Sequence, residues 1–135
     1  RAAARTQAEV IRDALARYPM NLPLLYGYGR TLLAERRFDD ALRFAEMQLQ
    51  LFPQDLQLNR VRADAYAGLG RKAQHHLVLA EMSLLKGQTA GALEQLEFAQ
   101  RAGDASFQEM SVIDARMREV KQRQIEELKE RERRN

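Results

Sequence analysis

The sequence predicts an all-α fold built from short antiparallel helical hairpins. Three prolines and no tryptophan occur beside abundant Ala, Leu, Arg, Glu and Gln, which are residues that favour helices. No segment of β-branched residues alternates with period two, the pattern that indicates a half-buried strand. With 135 residues, the chain is long enough for one small domain with a continuous hydrophobic core.

Proline, glycine and capping residues divide the first half of the chain into helices. Pro19 and Pro53 each stop a helical pattern, and Gly70 is suited to a left-handed C-cap. Asn21 and Asp55 are N-cap residues, because their side chains accept hydrogen bonds from free N–H groups of a first turn. The predicted helices run from Ala2 to Tyr18, from Asn21 to about Arg36, from Phe38 to Phe52, and from Asp55 to about Leu69.

The second half continues in the same way. Gly87 and Gly103 end two further helices, Lys72–Lys86 and Thr89–Ala102, and the last helix begins at Asp104 or Ser106. Its apolar residues recur at spacings of three and four, which predicts a stripe that packs on the helix Thr89–Ala102 and caps the array. The alternative is that the stripe is a partner-helix surface, such as a dimer seam. The stripe consists of Phe107, Met110, Ile113, Met117 and Val120.

One segment, Leu22–Asp55, has the pattern of a complete tetratricopeptide repeat. Such a repeat needs small residues where its two helices cross, and Gly29 and Ala41 provide them. Large residues fill the flanking space, and Pro53 ends the second helix. Gln48 departs from the pattern, because a small residue is usual there. The large residues are Leu25, Tyr28, Leu32, Phe38, Phe44, Leu49 and Leu51.

A similar pattern recurs at Ala80–Gln100, but out of register. Ala41 and Ala92 are 51 residues apart, or one and a half repeat lengths, so the register slips by one helix. The sequence therefore predicts a tetratricopeptide-type α-α superhelix of about two and a half repeats. Residues 1–106 form the predicted hairpin array, with residues 1–18 as a trailing half-repeat. Residues 107–135 form the predicted capping helix and its charged tail.

Composition argues against several classes of partner and site. The 22 basic and 19 acidic residues give a net charge of +3, too small and too mixed to indicate nucleic-acid binding or a membrane surface. Without cysteine, disulfides and thiolate metal sites are excluded. No apolar run reaches the roughly 20 residues that a membrane-spanning helix needs. The sequence begins at Arg1 within a helical pattern, so we expect an excised fragment.

Catalytic and metal-binding patterns are not found. No Gly-rich phosphate loop occurs, and no serine has readable His and Asp partners. His75 and His76 are adjacent, whereas two histidines that share a helical zinc site are four residues apart. We therefore expect no catalytic residue, no metal and no cofactor in this chain.

A partner-binding surface is predicted on the concave side of the array, which the leading helices line. Steps of three and four from the packing positions place nine residues there. An aromatic ring, two arginines, two acids and apolar side chains suit a mixed peptide-binding groove. The Lys and Asn pattern that clamps a peptide's terminal carboxylate in chaperone-binding repeats is missing. The nine residues are Tyr26, Arg30, Leu33, Arg60, Asp64, Ala67, Leu77, Glu81 and Leu84.

Three segments in this order resemble one particular family: LARYPMNLPLLYGYGRTLL, AEMSLLKGQTAGALEQLEFA and IDARMREVKQRQ. The chain from about Tyr18 to Gln124 resembles the carboxy-terminal domain of bacterial periplasmic zinc metalloproteases with tetratricopeptide repeats. The β-barrel assembly-enhancing protease belongs to that family. The chain departs from the whole family protein in having no HExxH motif.

The resemblance implies a periplasmic protein that takes part in outer-membrane protein assembly and quality control. It implies that this domain binds the β-barrel assembly machinery or immature outer-membrane proteins. Zinc and proteolysis are implied only for a part of the protein outside this chain. The alternative is a stand-alone repeat scaffold or co-chaperone in a cytoplasmic complex.

Overall fold

The computed structural model describes residues 5–135 and confirms the predicted all-α class. Seven helices and no strand occur in that range. They form two compact units with their boundary at Leu69–Gly70, so that α1 to α4 belong to the first unit and α5 to α7 to the second. The helices are α1 Gln7–Arg17, α2 Leu22–Ala34, α3 Phe38–Leu51, α4 Leu56–Gly68, α5 Lys72–Leu85, α6 Thr89–Arg101 and α7 Phe107–Arg134.

The first helix starts later than its sequence pattern predicts. Arg5 and Thr6 are not helical, and Thr6 caps α1 by accepting a 3.2 Å hydrogen bond from the Glu9 N–H. The Glu9 carboxylate accepts in return from the Thr6 N–H, which completes a capping box. The predicted start at Ala2 lies outside the described residues.

Other helix ends agree with the sequence prediction. Asn21 accepts a hydrogen bond from the Leu24 N–H, and Asp55 accepts one from the Leu58 N–H, at 3.0 and 2.9 Å. Glycine ends α4, α5 and α6 at positive φ, with values of 74° at Gly70, 74° at Gly87 and 84° at Gly103. This left-handed conformation carries no steric cost in glycine, which explains its use at these three ends.

In the first unit, α2 and α4 approach each other closely at Gly29. A Cβ atom on Gly29 would lie 2.9 Å from Cγ2 of Val61, so only a residue without a side chain fits at this distance. The ring of Tyr28 meets that of Phe44 on α3 edge to face, with centroids 4.8 Å apart. Ala41 and Ala45 on α3 are fully buried. Small residues therefore hold the helices of this unit close together, as the repeat pattern predicts.

In the second unit, α7 packs against α6 and closes the core. Ile113, Met117 and Val120 are buried together with Leu96 and several alanines. Because these three side chains are buried within a single chain, they are not free to form a dimer seam. Phe107, predicted in the same stripe, is 88% exposed. The alanines of this core are Ala73, Ala80, Ala92 and Ala99.

The first turn of α5 is capped by a residue from a distant loop. Its N-cap residue, Arg71, makes no capping hydrogen bond. Instead, Asp104, in the loop before α7, accepts from the N–H groups of Lys72 and Ala73 at 2.6 and 2.9 Å. Asp104 thus satisfies two backbone donors that α5 would otherwise leave free.

Two glycines of α2 provide a matched test of the close helix contact. A Cβ atom on Gly27 would come no nearer than 4.0 Å to its neighbour, Ile11 Cδ1. Because alanine is the better helix former, Gly27→Ala should raise the free energy of unfolding by about 1 kcal/mol. Gly29→Ala should instead lower it by about 1 kcal/mol, since overpacking against the stiff Val61 side chain outweighs the gain in helix propensity. Urea unfolding followed by circular dichroism measures both changes. Equal stabilisation by the two substitutions would show that a methyl group at position 29 fits between α2 and α4.

Candidate functional site

Six of the nine predicted binding residues lie on one side of the α2 and α4 pair. The two helices run in the same direction, because each is joined to α3 by a short antiparallel connection. Successive helical residues are turned by roughly 100°. Gly29 and Val61 face each other across the helix pair. Arg30 follows Gly29 by one residue and Arg60 precedes Val61 by one residue, so both arginines are turned to the same side of the pair. Tyr26, Leu33, Asp64 and Ala67 fall on that side by the same geometry, and we call these six residues the α2/α4 face.

Within the first unit, α3 lies against the opposite side of α2. Tyr28, which precedes Gly29 and so points away from the α2/α4 face, is the residue that contacts Phe44 of α3. The α2/α4 face is thus left uncovered by α3. Arg30, Arg60 and Ala67 are exposed on it, while the remaining three side chains are half-buried.

The two arginines of this face have no partner among the described residues. Neither Arg30 nor Arg60 forms an ion pair or a side-chain hydrogen bond with any residue in the range 5–135. Asp64 stands one helical turn after Arg60, yet no ion pair joins them. By contrast, Arg37 and Arg43 both bind the Asp40 carboxylate on α3. The guanidinium donors of the α2/α4 face are therefore available to a ligand.

Tyr26 is fixed at one end of the face. Its hydroxyl donates a short hydrogen bond to the carboxylate of Asp55, the N-cap of α4. This hydrogen bond, with smaller contributions from burial and from the negative charge of Asp55, raises the pKa of Tyr26 above its ordinary value of about 10. The contact joins the start of α4 to α2 and holds the tyrosine ring in place.

The other three predicted binding residues are engaged within the second unit. Arg116 of α7 binds Glu81 with both ends of its guanidinium, Nε to Oε1 at 2.8 Å and Nη2 to Oε2 at 2.6 Å. The hydrogen bond to Glu81, and then that to Glu119, raises the pKa of Arg116. Leu77 and Leu84 pack against the core of this unit. These three residues therefore contact other residues of the second unit and do not form an open binding surface.

The paired histidines belong to an aromatic cluster between α5 and α6. The ring of His76 lies 5.1 Å from that of His75 and 5.3 Å from that of Phe98, centroid to centroid. Its Nδ1 is 2.8 Å from Oε1 of Gln95. Among the described residues, no three His, Cys, Asp or Glu side chains are grouped so that they would hold a metal ion.

Sequence reasoning missed the two residues that organise the second unit, Asp104 and Arg116. Arg116 lies 35 residues from Glu81, and Asp104 lies 32 from Lys72. No local pattern connects such distant partners. A partial signal was present in Arg71, a poor N-cap residue, which indicates that a cap for α5 must come from elsewhere.

Comparison with known protein families, with characterised proteins and with solved structures gives no match. Within residues 5–135, no helix combines the length and the apolar character that crossing a bilayer requires.

The Tyr26–Asp55 contact predicts an alkaline effect on stability. The folded state favours the neutral hydroxyl of Tyr26. The contact therefore contributes to stability below pH 10, and this contribution is lost as the pH rises through the raised pKa of Tyr26. The difference between ultraviolet titrations of the wild type and of Tyr26→Phe gives the ionisation curve of Tyr26. We expect its midpoint above pH 10. In the Asp55→Asn variant, which retains an N-cap residue, the midpoint should return towards 10. An unchanged midpoint in that variant would rule out Asp55 as the cause.

Proposed function

We propose that this chain is a non-catalytic protein-binding domain that holds a segment of another protein on the α2/α4 face. The observation that supports this most is the pair Arg30 and Arg60, which share the α2/α4 face, are exposed and form no ion pair within residues 5–135. Exposed arginines beside an aromatic ring and apolar side chains are typical of protein interfaces. Tyr26 and Leu33, both half-buried, supply the ring and an apolar side chain here.

The composition of the face favours binding over catalysis. Its six side chains supply hydrogen-bond donors, a tyrosine held by Asp55, one carboxylate and apolar contacts. The one hydroxyl of the face, that of Tyr26, is held by the N-cap carboxylate of Asp55 and so serves to join α2 to α4. The helices that carry the face are packed around small residues, so the arginines project from a rigid scaffold.

For the whole protein, we propose a periplasmic zinc metalloprotease active in outer-membrane protein assembly and quality control. This proposal is supported by the resemblance of the segments within Tyr18–Gln124 to that family. The zinc and the HExxH motif would then lie in another part of the protein. The partner on the α2/α4 face would be the β-barrel assembly machinery or an immature outer-membrane protein. The alternative is a scaffold or co-chaperone of a cytoplasmic complex, which the same face would serve equally well.

Site-specific photocrosslinking tests the binding face. A photoreactive phenylalanine analogue at Ala67, which is exposed on the face, should capture a protein partner in cells. The control is the same analogue at Arg12, which is exposed on α1 and is not one of the six residues of the face. We expect a crosslinked species at Ala67 that is absent at Arg12. Identical products from both positions, or none from Ala67, would contradict the assignment of the face.

The gene sequence upstream of the codon for Arg1 tests the proposed parent protein. A signal peptide followed by a helix with an HExxH motif is expected for the periplasmic metalloprotease. A start codon close to Arg1, with no signal sequence, would favour the cytoplasmic scaffold instead.

A further inference from the structure

Building on the proposed function, we infer that the partner segment is acidic and extended, with two carboxylates about 10 Å apart that bind Arg30 and Arg60. Charge is the first reason. A neutral segment would return hydrogen bonds to two guanidinium groups through its carbonyl oxygens but would leave their charges uncompensated, and a basic segment would repel them. A carboxylate opposite each arginine supplies charge-assisted, bidentate hydrogen bonds instead.

The second unit shows that this chain already uses such a pairing. Arg116 binds Glu81 with two hydrogen bonds of 2.8 and 2.6 Å. Glu81 and Arg30 occupy the same position of the repeat pattern, 51 residues apart. In the second unit a carboxylate on the leading helix meets an arginine from α7. In the first unit the corresponding helix, α2, carries the arginine, so the partner expected there is a carboxylate.

The spacing follows from the contact between Gly29 and Val61. Arg30 and Arg60 are each one residue from this contact, so they stand within about 3 Å of the same level along the helices. Packed helix axes are about 8–10 Å apart, so two arginines that leave neighbouring helices on the same side can hold their guanidinium groups about that far apart. In a polyproline II segment, residues three positions apart point to the same side and are separated by about 9 Å. Two acidic residues at positions i and i+3 therefore match the arginine pair.

The neighbouring side chains set the register of the segment. Tyr26 and Leu33 flank Arg30 along α2 and are half-buried, so they offer an apolar surface beside the first carboxylate. Asp64 lies one turn after Arg60 and would repel a third carboxylate there. For the same reason, the face disfavours a polyanion such as nucleic acid and favours a peptide with a limited number of acidic residues.

Selection from a random library of 12-residue peptides displayed on phage tests the inference with the whole 135-residue chain. Parallel selections use Arg30→Glu/Arg60→Glu and the control Arg12→Glu/Arg17→Glu. The control changes the net charge equally through two exposed arginines of α1 that form no ion pair with any described residue. Circular dichroism verifies that both variants remain folded.

We expect the wild type and the control to enrich peptides with two acidic residues three positions apart, and the face variant to lose them. A selected peptide, made synthetically with a fluorescent label, should bind the face variant at least about 100-fold more weakly in anisotropy titrations, or tenfold for each arginine. Its Glu→Gln counterpart should lose binding to the wild type similarly. Binding to the control should change by less than about threefold, because Arg12 and Arg17 do not belong to the face and the effect of other surface charges is screened by salt.

Three outcomes would overturn the inference, and the first of them is distinguishable from failure of the proposed function. Ala67→Gln, which adds bulk to the face without charge, reports whether a peptide binds there. Selected peptides that lose affinity for this variant but lack the acidic pair would refute the acidic partner and leave the binding face intact. Displacement of the peptide by a 20-nucleotide single-stranded DNA at equal concentration would indicate a nucleic-acid site instead. If no selected peptide responds to Ala67→Gln or to the arginine substitutions, both proposals fail.

Discussion

Close packing of helices at residues with little or no side chain is the constraint on which the rest of the structure depends. At Gly29 the side chain of Val61 occupies the space that a Cβ atom would need. This contact fixes both the distance between α2 and α4 and the rotation of each helix about its axis. Once the rotation is fixed, the neighbouring arginines have only one side on which to emerge. The binding face is thus a consequence of core packing, and its geometry is set by residues that no ligand would touch.

The fold class and most helix ends were predictable because the interactions that determine them are local. Asn21 and Asp55 cap the next turn, and three glycines adopt the left-handed conformation that other residues avoid. The start of α1 was predicted too early, although the Thr6-x-x-Glu9 pattern of a capping box was present in the sequence. The helical periodicity extends without interruption through Arg5 and Thr6. Periodicity alone therefore does not locate the start of α1, which the capping residues mark.

For the candidate site, the sequence predicts which residues share one face of a single helix, but not how the faces of different helices are arranged. Periodicity places Tyr26, Arg30 and Leu33 on one stripe of α2, and Leu77, Glu81 and Leu84 on one stripe of α5. It does not reveal which neighbour covers a stripe. In α2 the stripe lies on the side away from α3 and Arg30 is exposed, whereas in α5 the carboxylate of Glu81 is bound by Arg116. That difference depends on a contact between residues 35 positions apart, for which a single sequence contains no local signal.

The cap that Asp104 supplies to α5 has a consequence for the order in which the second unit folds. The hairpin of α5 and α6 is complete in sequence at Arg101, before the residue that satisfies the first turn of α5 has been reached. During synthesis, the hairpin is therefore complete before that loop emerges, with two backbone donors of α5 still bound to water. Formation of α5 is thereby coupled to docking of α7, since Asp104 comes into place only when the loop before α7 turns back. A ribosome-bound chain ending at Ala102 would therefore hold an α5 with a frayed beginning.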